Sequence, residues 1–526
     1  MAFASALFAR LAAHPRWCAL VLGVLAATGF EPLHLWPLTL LAMAGLIALT
    51  ARAESWKQAA LIGWLFGVGH FTLGNNWIAT AFAYQAEMPV WLGTVAVVLL
   101  AAYLAVYPAL AAWGAWLMAK RHGAMLPIAF AACWIITEWL RSWVFTGYAW
   151  NPLAMVALGP FSRAGLAAVA PWLGTYALSG LVVLMGSCWL MAWRRGLRSW
   201  SSAGLFVLPI VLFTLPPLHI DKQKGTIPFT LVQPDIRQEE LDNPALYEKQ
   251  FIKTARLTLP ITRGQKRIVL WPESGVPDYL REGYPLYFYQ ATTYAADPVL
   301  ARKRIGAVIG PGSVLLTGAV DIEMRKGAIA GAHNAVTAVD ESGALRGGYI
   351  KAHLVPYGEY LPARKVLEPL GLSRLVAGSL DFLAGPGPRT LNLGPWGKAG
   401  VQLCYEIVFS GQVVDRAHRP DYIFNPSNDG WFGSWGPPQF LAQARLRAIE
   451  EGLPVLRATT TGISAVIDAD GVVRQHIPRH IAARLDGMVP PAHAPTLFAK
   501  LGNMLPLGWA LVLFACSLVA MRRRQG

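Results

Sequence analysis

The stretch Gly400-Val401-Gln402-Leu403-Cys404-Tyr405-Glu406 runs from strand-like apolar residues straight into a cysteine and an acid. Cys404 is the only cysteine between Trp189 and Ala515. A lone cysteine where a strand turns into a helix has a physical reason to react. The first N–H groups of the helix stabilise a thiolate, and the thiolate is the nucleophile. The other four cysteines, Cys18, Cys133, Cys188 and Cys516, lie in long apolar stretches and read as small hydrophobes.

Outward from Cys404, residues 219–497 alternate short β-branched runs with Gly, Pro, Asp and Asn. The runs predict strands at Phe229–Gln233, Ile268–Pro272, Ser313–Asp321, Asn334–Asp340, Gly347–Ile350, Gly400–Cys404, Tyr422–Pro426, Val455–Thr459 and Ser464–Asp468. Asp340-Glu341-Ser342-Gly343 and Asp468–Gly471 read as hairpin turns. Helical patterns cover Pro244–Thr258, Tyr284–Ala296 and Pro438–Gly452. About 280 residues of alternating strands and helices suffice for one α/β domain with its own core.

The flanks differ. The whole chain of 526 residues is 55% hydrophobic and only 14% charged, with 21 tryptophans; its mean hydropathy is +0.40. A soluble protein carries about a quarter charged residues. Apolar segments near 16–30, 37–51, 58–81, 89–118, 124–144, 165–192 and 203–218 precede the polar region, and an eighth near 503–520 follows it. The reading is a polytopic α-helical membrane protein with an inserted α/β domain, divided at 1–218, 219–497 and 498–526.

Basic residues gather at Arg10 and Arg16, Arg52 and Lys57, Lys120-Arg121, Arg194-Arg195 with Arg198, and Arg522-Arg523-Arg524. Counting spans puts every one of these on the same side. That is the positive-inside pattern for eight spans with both termini cytoplasmic. The inserted domain is then extracytoplasmic, which in a Gram-negative cell means periplasmic. Membrane-edge clusters also account for the net charge of +15. Nucleic acid is not an expected partner, because no basic stripe with interleaved aromatics runs through the polar region. No metal-ligand spacing and no disulfide framework is visible. Glu138 and Arg141 are the charged residues within a span, read as an intramembrane pair or a headgroup contact.

Glu273 closes Ile268-Val269-Leu270-Trp271-Pro272-Glu273, and Lys351 follows Gly347–Ile350. Each alone reads as an ordinary strand-end residue. Together with Cys404 they can converge on one sheet edge, where open sheets collect their active sites. A thiol attacks a carbonyl, a glutamate moves the protons and a lysine holds the oxyanion.

Around these residues stand Trp271-Pro272-Glu273-Ser274, Lys351-x-His353-Leu354-Val355-Pro356-Tyr357-Gly358-Glu359-Tyr360-Leu361-Pro362 and Cys404-Tyr405-Glu406. Further motifs are Asn425–Gly433, Arg447-Ala448-x-Glu450, Arg457–Ala465, Trp139-Leu140-Arg141 and Thr146-Gly147-Tyr148-x-Trp150. The ensemble resembles the apolipoprotein N-acyltransferases, the membrane-embedded branch of the nitrilase (carbon–nitrogen hydrolase) superfamily. The resemblance implies a nitrilase-like αββα sandwich inserted between spans seven and eight. It implies an acylated Cys404, Glu273 as general base and Lys351 as oxyanion partner, in a ping-pong reaction that needs no cofactor and no metal. Glu359, Tyr405 and Glu406 match supporting positions; Trp431, Tyr148, Trp150 and Arg141 match candidate substrate contacts. The implied donor is a phospholipid, with phosphatidylethanolamine expected, and the acceptor a diacylglyceryl apolipoprotein in the bilayer of the bacterial inner membrane. A membrane-tethered amidase or hydrolase using water would employ the same triad. Asp235, Glu240, Leu241, Phe440 and Thr460 depart from the family, which generally carries Asn, Lys, Trp, His and Asn there.

Overall fold

The computed structural model describes residues 14–84, 89–119, 123–196, 199–214, 225–362, 365, 369 and 382–523. The expected boundary at 218/219 and the basic residues Arg10, Lys120, Arg121, Arg198 and Arg524 lie outside them.

The apolar segments form helices α1 (Pro15–Ala27), α2 (Trp36–Ala51), α3 (Trp56–Gly74), α4 (Trp91–Leu104), α5 (Val106–Ala119), α6 (Leu126–Arg141), α7 (Ala170–Arg195) and α8 (Trp200–Thr214). Prolines in the first turn start α1, α2, α6 and α7, where a missing N–H costs nothing. The expected segment 58–81 stops early, because Asn75 ends α3 at Gly74. Helices α1 and α3 touch through glycine: a Cβ on Gly23 would strike the Phe66 carbonyl, and one on Gly69 the Leu20 carbonyl. Small residues of this kind let apolar helices approach backbone to backbone. Trp91–Ala119, Gly123–Arg141 and Leu166–Arg195 are long and apolar enough to cross a membrane.

The polar region holds two six-stranded sheets. The first comprises β1 (Pro228–Gln233), β2 (Ile268–Leu270), β3 (Val314–Arg325), β4 (Ala328–Asp340), β5 (Leu345–Ile350) and β12 (Ala483–Met488), in the order β12-β1-β2-β3-β4-β5. The second comprises β6 (Thr390–Asn392), β7 (Lys398–Val401), β8 (Tyr422–Ser427), β9 (Val455–Thr459), β10 (Ser464–Ile467) and β11 (Val473–Ile477), in the order β11-β10-β9-β8-β7-β6. Each has a parallel trio, β1-β2-β3 or β7-β8-β9, flanked by antiparallel strands. The period of two along a strand makes the layers. Leu231, Leu270 and Leu316 point between the sheets toward Val401, Phe424 and Leu456. Val232, Val269 and Leu315 point the other way, onto helices α9 (Tyr247–Thr258) and, beyond α10 (Leu286–Thr292), α11 (Pro298–Ile309). Both expected hairpins form, each with an aspartate side chain accepting from the turn backbone: Asp340 from Ser342 and Ala344, Asp468 from Asp470 and Val472.

Helix α12 (Gly436–Glu451) joins the two halves and is buried almost throughout. Phe440, Leu441, Ala444 and Ala448 lie in the sandwich core. Ala442, Leu446 and Ile449 lie in the core of the apolar helices. Three of its charged residues, Arg445, Arg447 and Glu450, are engaged by side-chain contacts. Arg445 donates to the carbonyls of Gly159, Pro160, Arg163 and Gly471. Glu450 pairs with Arg447 at 2.9 Å and accepts from Ser410. The last helix, α13 (Met504–Arg523), returns to the apolar bundle.

Candidate active site

The sequence folds the nucleophile into a tight turn. Strand β7 ends at Val401, and Cys404 opens a five-residue 3-10 turn with φ +51°. That left-handed conformation is uncommon for a residue with a side chain and is held only where the surroundings over-determine it. Here Asn425 Nδ2 donates to the Gln402 carbonyl at 2.6 Å, and the Leu403 N–H donates to Glu406 Oε2 at 2.8 Å. The expectation of a helix end that stabilises a thiolate is corrected. Burial pushes the Cys404 thiol up, and the Glu273 charge adds to it, with Lys351 opposing. A turn this short has no row of aligned N–H groups to offset that desolvation. Ser427 Oγ lies 3.5 Å from Cys404 Sγ and 2.7 Å from Asp429 Oδ1. One hydroxyl carries one proton. The nearer carboxylate takes it, leaving an oxygen lone pair for the S–H. Asp429 is itself clamped by Arg457 at 2.7 and 2.9 Å.

Beside the thiol sits a buried charge cluster. Lys351, 1% exposed, has its Nζ 3.0 Å from Glu359 and 3.7 Å from Glu273. Burial alone would lower the Lys351 ammonium; the Glu359 and Glu273 carboxylates outweigh it and hold the lysine above its usual range. Glu273 is fixed at both oxygens. Oε1 accepts from Asn334 Nδ2 at 2.8 Å and Oε2 from the Asn428 N–H at 2.8 Å. Gly318 permits this, since a Cβ there would stand 2.7 Å from Glu273 Cα. Asn334 also donates to Glu359 Oε1 at 2.7 Å, so one amide spaces two acids. Asn334 carries no site role in the sequence pattern, and Ser427 appears there only within the Asn425–Gly433 motif. The signal available for Asn334 was an amide at a sandwich-facing position of β4, in register with Val336 and Ala338.

The supporting residues divide. Glu359 Oε2 accepts from the Val355 N–H at 2.8 Å, tying the 355–359 loop to Lys351. Glu406 Oε1 accepts from Tyr349 Oη, Ala352 N and His353 N at 2.7, 2.7 and 3.1 Å. It therefore couples the backbone just after Lys351 to the turn that carries Cys404. Tyr405 meets the Phe409 ring edge-on at 5.0 Å. Trp431 contacts Tyr84 edge-on at 5.7 Å. Tyr148 Oη donates to Asn75 at 2.8 Å. Trp150 is fully buried and donates to Gln439 at 2.8 Å. Arg141, 3% exposed, donates to the Trp150 carbonyl at 2.8 Å and stands 3.9 Å from Glu138. Arg141 and Trp150 thus sit in the protein interior with their polar groups engaged, away from any open surface. The departures are accommodated locally: Phe440 lies under the Arg457 guanidinium at 4.2 Å, Thr460 donates to Asn428, and Asp235 accepts from Thr461. Among the described residues no group of three His, Cys, Asp or Glu could hold a metal ion.

A thiol, a lysine and two carboxylates, buried together, can support attack on an acyl carbonyl with the proton and the oxyanion both provided for. Residues 22–188 match the apolipoprotein N-acyltransferase N-terminal domain, and residues 230–479 match the carbon-nitrogen hydrolase family. The apolipoprotein N-acyltransferase of Rhodopseudomonas palustris is 31% identical over 96% of this chain and 95% of that protein. That of Bradyrhizobium diazoefficiens is 32% identical over 96% and 94%, and that of Nitrosomonas europaea 31% over 96% and 98%. Among solved structures, a carbon-nitrogen hydrolase from Helicobacter pylori covers 50% of this chain and 88% of its own, at 16% identity and TM-score 0.35. With curated relatives aligned over nearly their whole length, the chain belongs to the apolipoprotein N-acyltransferase family.

Proposed function

We propose that the protein transfers a fatty acyl chain from a phospholipid to the N-terminal α-amino group of the diacylglyceryl-cysteine of an apolipoprotein. The observation that carries this is the buried meeting of Glu273, Lys351, Glu359 and Cys404, in a chain whose relatives bear that name. Glu273 takes the Cys404 proton as sulfur attacks the ester carbonyl, and the Lys351 ammonium holds the oxyanion. Collapse expels the glycerol oxygen, which takes the proton from Glu273 and leaves as lysophospholipid. A thioester on Cys404 remains. The acceptor amine attacks it, Glu273 receives the amine proton, and the departing sulfur takes that proton back. Phosphatidylethanolamine is the donor this reading expects.

Helices that seat the site at a bilayer keep every acyl chain in lipid, at a saving of about 0.8 kcal/mol per CH₂. The layout that serves this is seven spans in 1–218, the catalytic domain in 219–497, and the eighth span with a basic tail in 498–526. The one-sided basic clusters support a periplasmic domain and cytoplasmic termini at the inner membrane. The test is purified protein in phospholipid vesicles with a synthetic diacylglyceryl-cysteine peptide. The peptide should gain one acyl chain as lysophospholipid appears, and Cys404→Ala should do neither. Free fatty acid with an unmodified peptide would instead make water the acceptor.

A further inference from the structure

Where α3 and α6 end beneath the catalytic half, His70, Tyr107, Thr137, Glu138, Arg141 and Asn151 line a cavity. It measures about 10 Å³, counted as the space open to the centre of a water molecule. His70, Glu138 and Asn151 are each 6% exposed. His70 Nδ1, Glu138 Oε2 and Asn151 Nδ2 have no hydrogen-bond partner. A buried polar atom left in that condition is costly, and three of them on residues lining one space point to a ligand that satisfies them together. The space suits one water, which makes two to four hydrogen bonds. The Glu138 and Arg141 charges, 3.9 Å apart, cancel, so nothing in this pair calls for an ion.

We propose that this cavity is a binding site for water, bridging His70, Glu138 and Asn151. Its position gives it a task. The segment above it is pinned by Arg141 to the carbonyls of Trp150 and Asn151, by Glu138 to the Leu153 N–H, and by Ser179 to the Ala154 N–H. Asn151 holds φ +47°, a conformation that needs such support. The bridging water secures the Asn151 side chain and closes the set. That braces Trp150, whose indole reaches Gln439 on α12, and so braces the joint between the helices and the catalytic half. This assignment stands on the cavity alone and does not depend on which acyl acceptor the enzyme uses.

The test is a structure of the full chain in a lipid nanodisc, at a resolution where ordered waters are visible. A solvent peak within about 2.7–3.2 Å of at least two of the three atoms is expected. A closed cavity with His70 bonded directly to Glu138 or Asn151, or no peak, would overturn the assignment. So would a peak whose strength follows the sodium concentration. His70→Phe keeps the ring among Phe30, Phe66 and Phe71 while deleting Nδ1. In that variant the peak should weaken or vanish, and an unchanged peak would refute the role of His70. Should the variant fail to fold, the map of the unaltered protein decides.

Discussion

Glu406 is the carboxylate on which the site's internal register depends, and its removal has a calculable effect. It is 4% exposed and accepts from four donors: Tyr349 Oη, Ala352 N, His353 N and Leu403 N. Burial holds its carboxyl above the usual range, against the bonds from Tyr349, Leu403 and His353. Hydrogen bonds to a charged group contribute about 1.5–3 kcal/mol each, though not additively. Glu406→Ala strands three backbone N–H groups and a phenol, so a loss of about 3–5 kcal/mol is expected. Glu406→Gln can still face three donors with its oxygen, but its NH₂ must then meet the Leu403 N–H. That costs about 1–3 kcal/mol and frees only the cysteine turn. The two variants should therefore rank in thermal unfolding as wild type, then Gln, then Ala. Acyl incorporation from labelled phospholipid should fall in both, and in Gln by more than its small stability change explains. Wild-type acylation in both variants, with unfolding temperature unchanged, would refute the claim that Glu406 sets the distance between Lys351 and Cys404.

Lys351→Met should abolish acylation and destabilise by about 3–5 kcal/mol, because it leaves Glu273 and Glu359 buried without their cation; thermal unfolding and product mass check both effects. Alkylation of Cys404 by iodoacetamide, followed on its own peptide, should stay slow through the usual thiol range and rise only at more alkaline pH, since burial and Glu273 raise the thiol; a rate already saturated at neutral pH would contradict this. Burial, with Glu450 adding, lifts the Glu451 carboxyl to about 7. The folded state then keeps a proton that the unfolded chain releases near pH 4.5, so this group lowers stability as pH rises from about 4.5 to about 7. Glu451→Gln should remove that fall, raising the unfolding temperature at pH 8 while leaving it unchanged at pH 4, and an equal effect at both would be contrary evidence.

The sequence made the catalytic sandwich legible because its central strands are runs of Val, Ile and Leu closed by functional residues. Ile268-Val269-Leu270, running into Trp271-Pro272-Glu273, is of that kind, whereas Lys351 follows the edge strand β5 and is marked by the loop motif after it. The strands that escaped notice are edge strands. β12 carries half-buried polar positions such as Arg484 and Asp486 and gains its identity from the ladder to β1. The expected helix at Tyr284–Ala296 forms as α10 and the short turn after it, whereas α11 escaped notice although Asp297-Pro298 marks its start and Asp297 caps Val299 and Leu300. Glu273, Lys351 and Cys404 were visible one by one, since each lies just past a strand. What the chain order conceals is long-range sharing. Asn334 divides one amide between two acids, and Arg445 clasps carbonyls of the helical half, neither marked by local pattern. The upward push on the Cys404 thiol was equally hidden, because it follows from burial by residues distant in sequence.

The proposed reaction passes a covalent acyl group through one sulfur, and intact-protein mass spectrometry reads that directly. Protein incubated with a single phospholipid species and no acceptor should gain the mass of one acyl chain, mapped to the peptide containing Cys404. Hydroxylamine should remove it, and a diacylglyceryl-cysteine peptide should discharge it onto its own amine. An unmodified Cys404 in protein that still acylates the peptide, or an acyl group on another residue that the acceptor discharges, would contradict the mechanism.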